Sequence, residues 1–83
     1  MDKSIHSARY VVFLRVLREA RQKAGLTQAQ LARQIKETQT FVSKCERGER
    51  RIDVIELRAF CQALGVSLNQ FVSQLERAIG KPR

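Results

Sequence analysis

Between Gln39 and Arg47 the chain reads QTFVSKCER. At the 100° step of an α-helix, Thr40, Ser43, Lys44 and Arg47 share one face, at i, i+3, i+4 and i+7, and Gln39 lies beside them at the start. That face carries amide, hydroxyl and cationic groups and no carboxylate. Such groups hydrogen-bond base edges and neutralise phosphates, so the face is suited to a nucleic-acid groove. A merely solvated helix face usually interleaves Glu with Lys, and this one does not. Val42 and Cys45 point the opposite way, toward a core, with Phe41 and Glu46 at the two flanks. Arg50 and Arg51 follow immediately in a charged loop.

The whole chain has the same bias. Its 83 residues carry 16 Lys and Arg against 8 Asp and Glu, a net charge of +8 and a pI near 10.5, which favours a polyanionic partner. With 43% hydrophobic and 29% charged residues it is expected to form one globular domain around a single core. Cys45 and Cys61 are far apart and have only His6 for company, which is no zinc spacing. Both fall at apolar helix positions, as small core residues in a reducing, cytoplasmic setting. The longest apolar run, Tyr10 to Leu14, is followed at once by Arg15 and Arg18, so neither a membrane span nor a signal peptide is expected. No Ser/His/Asp set, paired acids in an apolar setting or glycine-rich phosphate loop appears. No enzyme, cofactor, metal or small-molecule ligand is therefore expected.

The reading face needs elements to position it, and the sequence supplies five short helices. The only proline, Pro82, stands at the end, and no hairpin pattern is present. Residues 1–7 read as a loose arm and 8–80 as the domain. Ser7 caps a first helix to about Ala24, with Tyr10, Leu14, Leu17, Ala20 and Ala24 as its buried stripe, stopped by Gly25. Thr27 caps a second helix over QAQLARQI. Thr38 caps the third, Gln39 to Arg47, which stops at Gly48. Asp53 caps a fourth, whose Leu57, Phe60, Cys61 and Leu64 face inward, closed by Gly65. Ser67 caps a fifth, with Leu68, Phe71, Val72, Leu75 and Ile79 at helical spacing, ended by Gly80. Helices two and three are joined by about three residues, a joint that makes them cross steeply as in a helix-turn-helix at about 28–47.

The stretch LTQAQLARQIKETQTFVSKCERGERR resembles the helix-turn-helix of the lambda repressor and Cro superfamily, the xenobiotic-response-element family of regulators. The matching residues are Leu26-Thr27-Gln28, Leu31-Ala32, Thr38-Gln39, Val42-Ser43-Lys44 and Glu46-Arg47-Gly48, with ALGVSLNQFV (63–72) matching the closing stretch. The resemblance covers about residues 14–75. It implies an all-α, compact five-helix lambda-repressor-like domain.

It also implies roles. Gln28 would bond a phosphate and brace Gln39. Thr38 opens the DNA-binding set, and Gln39, Thr40, Ser43 and Lys44 would be the groove-facing positions. Phe41 either lays its ring on a thymine methyl or covers the edge of the core. Arg47, Arg50 and Arg51 would touch phosphates, each adding salt-sensitive affinity. Glu46 would pair with Arg21 in a partly buried, structural ion pair. Lys36 stands where the family usually has a turn glycine, at a penalty of about 1 kcal/mol if its φ is positive. A homodimer on a palindromic operator is expected, with Phe71, Leu75 and Ile79 of helix five as its interface. The implied function is a sequence-specific, double-stranded-DNA-binding transcriptional regulator acting as a repressor. It would be encoded by a bacterium, phage or plasmid and would act at the nucleoid. The alternatives are a DNA-binding antitoxin and a protein-interaction module on the same fold.

Overall fold

The computed structural model describes residues 7–80, which fold into α1 (Ala8–Lys23), α2 (Gln28–Gln34), α3 (Gln39–Glu46), α4 (Val54–Leu64) and α5 (Leu68–Ile79), with no strand among the described residues. Of the expected arm, residues 1–6 lie outside the described residues, and Ser7 is the cap of α1. All five helices begin as their residue types dictate. The side chains of Ser7, Thr27, Thr38, Asp53 and Ser67 each accept from a backbone N–H in the first turn. At α2, α4 and α5 the third helical residue, Gln30, Glu56 or Gln70, returns a bond to the cap, completing a reciprocal box.

One core collects residues from every helix. Leu17, Leu31, Val42, Cys45, Phe60, Cys61 and Phe71 are all buried to within 2% of complete exclusion. α2 packs chiefly on α3, and α1 on α5, while α4 closes the underside against α5 and α2. The burial of Cys45 and Cys61 raises both thiol pKa values, keeping them protonated and inert.

Two expectations about the core are corrected. On α1 the inward stripe is Phe13, Val16 and Leu17, whereas Leu14 is half-buried and Ala24 exposed. The reason is the edge-to-face contact of Phe13 with Phe71, ring centres 5.9 Å apart, which turns α1 toward α5. The same contact removes Phe71 from any outer surface, since it is only 1% exposed. Leu75 and Ile79 remain half-buried on α5, and Val72 is 41% exposed.

The joint between α2 and α3 contains a Schellman exit. Glu37 N–H donates to the Ala32 carbonyl at 2.9 Å and Lys36 N–H to that of Arg33 at 3.2 Å. This closure requires Lys36 at φ 61°, the left-handed region, and among the described residues it is the one non-glycine there.

Candidate nucleic-acid interface

α3 is a short helix fixed at its inner face by Val42 and Cys45, both fully buried. Its outer face is thereby set. Thr38, Gln39, Thr40, Lys44 and Arg47 are exposed, and Ser43 is half-buried between them. The structure thus brings these six residues onto one surface. The Arg47 guanidinium reaches back to Ser43 Oγ, and its Nε and Nη2 hold Glu49 at 2.9 and 3.2 Å. That pairing keeps Arg47 charged, with its pKa above the ordinary value, and holds the Glu49 carboxyl below its own.

Glu46 lies further inward than a flank position. At 4% exposure it is the one buried charged residue of the described core. Arg21 meets it as a fork, Nε to Oε2 at 2.6 Å and Nη2 to Oε1 at 3.0 Å. Arg21 Nη1 also donates to the Leu26 carbonyl at 2.9 Å, just past the end of α1. Gln28, expected to bond a phosphate and brace Gln39, has a partner within the protein. Its Nε2 donates to Glu46 Oε1 at 3.0 Å. One carboxylate of α3 therefore gathers an arginine from α1 and an amide from α2. This fits a buried charge, which has to be paired and hydrogen-bonded.

The two loop arginines, expected to touch phosphates, also have partners within the protein. Arg50 forms a fork with Glu56, Nη1 to Oε1 at 2.9 Å and Nη2 to Oε2 at 2.8 Å, and Nη1 also donates to the Arg51 carbonyl at 2.8 Å. Its guanidinium carbon lies 4.7 Å above the Phe41 ring. The guanidinium of Arg51 lies 5.0 Å from the ring centre of Tyr10. Glu56 raises the Arg50 pKa, and Arg50 holds the Glu56 carboxyl low. Phe41 is half-buried and packs on Phe60, ring centres 6.4 Å apart. The sequence reading missed three participants: Glu49, Glu56 and Phe60. A signal existed for Glu56, because Asp53 three residues earlier makes it the return half of a capping box.

No helix of the described residues is long and apolar enough to cross a membrane, and they contain no cluster of metal-ligating side chains. What decides the family is the agreement of this geometry with known proteins. A helix-turn-helix family profile matches residues 17–71, which span α2, α3 and the helices that pack on them. The chain belongs to the xenobiotic-response-element family of helix-turn-helix proteins. A solved XRE-family like protein from Pseudomonas syringae pv. tomato str. DC3000 superposes with a TM-score of 0.83 at 47% identity, covering 93% of this chain and 94% of that one. No curated protein matches the chain. The XRE family is one of DNA-binding transcriptional regulators rather than of enzymes, and its motif here is the α2–α3 pair.

Proposed function

We propose that this protein is a repressor that lays α3 in the major groove of a palindromic operator, with Gln39, Thr40, Ser43 and Lys44 toward the base edges and Arg47 toward the flanking phosphates. One observation carries the reading: the outer face of α3 is amide, hydroxyl and cation, while three nearby carboxylates are already matched. Glu46 is buried against Arg21, Glu49 is held by Arg47, and Glu56 by Arg50. A surface arranged in this way does not repel a polyanion.

A palindromic site asks for two recognition helices about 34 Å apart, hence two copies. The pairing surface we propose is the outer side of α5, where Val72, Leu75 and Ile79 remain uncovered or half-covered. The protein would act in the cytoplasm at the nucleoid, with double-stranded DNA as partner and no cofactor. Selection from random duplex DNA tests the reading. A two-fold symmetric motif is the expected result, and no enrichment at low salt overturns it. Sedimentation showing a monomer at tens of micromolar, with unchanged DNA affinity, would remove the dimer.

A further inference from the structure

We propose that Arg50 is a positioning residue for the reading helix rather than a phosphate contact: held by Glu56, its guanidinium clamps the Phe41 ring and so fixes the outward face of α3. The inference rests on α3 being the base-contacting helix. Its basis is a continuous chain of contacts. Asp53 and Glu56 bond each other reciprocally at the start of α4, at 3.0 and 2.7 Å. The same Glu56 carboxylate takes the Arg50 fork at 2.8 and 2.9 Å. The guanidinium carbon then sits 4.7 Å from the centre of Phe41, whose ring also packs against Phe60 of α4. Phe41 is thus held between a core ring and a fixed cation, and it stands between Thr40 and Val42 on α3.

Geometry also argues against the phosphate role. Both Arg50 Nη atoms are committed, and Nη1 is shared between Glu56 and the Arg51 carbonyl. Arg47 can give up the more exposed Glu49 without releasing a ring, but to reach a phosphate Arg50 would have to leave Glu56, a bidentate partner fixed at the start of α4. It would also uncover the Phe41 ring. A residue in this position acts on affinity through the orientation of α3, and sequence discrimination is the property that depends on that orientation.

The test separates charge from shape. The wild-type chain first selects a duplex from random DNA. That duplex and a scrambled one are then titrated across a salt series with Arg50→Lys, Arg50→Ala and Glu56→Gln, each checked for folding by circular dichroism. Lysine keeps the charge but has neither the fork nor the planar guanidinium. The expected result is that Arg50→Lys and Glu56→Gln each lower the ratio of selected to scrambled affinity by about tenfold, the worth of one base contact, with the salt slope unchanged. The proposal is overturned if Arg50→Lys behaves as wild type while Arg50→Ala lowers the salt slope by about 0.9. Tighter binding of both duplexes by Glu56→Gln, as for a released cation, also overturns it. If the wild type selects no sequence, the DNA-reading role itself fails. The clamp is then judged in the free protein, where Glu56→Gln must shift the Phe41 ring and α3 amide resonances; unmoved resonances reject it.

Discussion

Replacing Lys36 by glycine should make the protein more stable. Four helices end in the same Schellman closure, and the residue that must turn left-handed is Gly25, Lys36, Gly48 or Gly65, at φ 76°, 61°, 79° and 78°. Only at the α2 exit does a side chain carry the strain. The left-handed conformation costs an L-residue about 1–2 kcal/mol. Glycine relieves this but has more freedom to lose on folding, roughly 0.5–1 kcal/mol. The net gain is about 0.5–1 kcal/mol, or about 2–8 °C in Tm for a domain of this size. Lys36→Ala is the internal control, because it removes the same charge while keeping the Cβ. Gly25→Ala is the mirror experiment. A Cβ there would meet nothing within 4 Å, so its cost is backbone strain alone and should be of similar size and opposite sign. Chemical denaturation with an unchanged m-value reads all three. If Lys36→Gly is no more stable than Lys36→Ala, the strain argument is wrong.

Three other outcomes follow from the site. Glu46→Ala and Arg21→Ala should each cost about 3–5 kcal/mol, since either strands a charge in a nearly dry site, whereas replacing both by apolar residues should cost much less; thermal melts of the three variants check this. Thr40→Ala or Ser43→Ala should change which base pairs are preferred in a competition assay, whereas Arg47→Ala should weaken all sequences and lower the salt slope by about 0.9. The Glu56 carboxyl titrates below its ordinary 4.5 because Arg50 and the Asp53 N–H stabilise its charged form. Its contribution is therefore complete above pH 4.5 and is lost as the pH falls through the lowered value, so the melting temperature of Glu56→Gln should depend less on pH than that of wild type in that acid range.

The helices were legible because their ends are chemical. Ser7, Thr27, Thr38, Asp53 and Ser67 can cap, and the glycines that follow α1, α3 and α4 can close, whatever the tertiary context. The inward face of α4 was legible for a similar reason, since Leu57, Phe60, Cys61 and Leu64 form a single stripe among polar residues. α1 was harder. Apolar residues run almost without a break from Tyr10 to Leu17, so periodicity alone could not choose between Leu14 and Phe13, and packing against Phe71 made the choice. At the site, the outward set on α3 follows from helix geometry. The partners of Arg47, Arg50 and Arg51 do not, because a charge in a loop says nothing about which carboxylate or ring the loop will bring beneath it. The bond of Gln28 to Glu46 was hidden for the same reason: the distance between them exists only after α2 and α3 have crossed.

The Glu46 carboxylate also bears on modularity. Its cation comes from α1 and its amide from α2, so the motif from Thr27 to Arg47 does not contain everything its own third helix needs. Excised, or grafted onto another scaffold with its reading face intact, this segment would carry an acid into a dry interior with no arginine to meet it. Evolution and engineering can therefore exchange the outward residues of α3 freely, but they must move the helix together with residue 21. The outward face is portable here, whereas the platform is inherited whole.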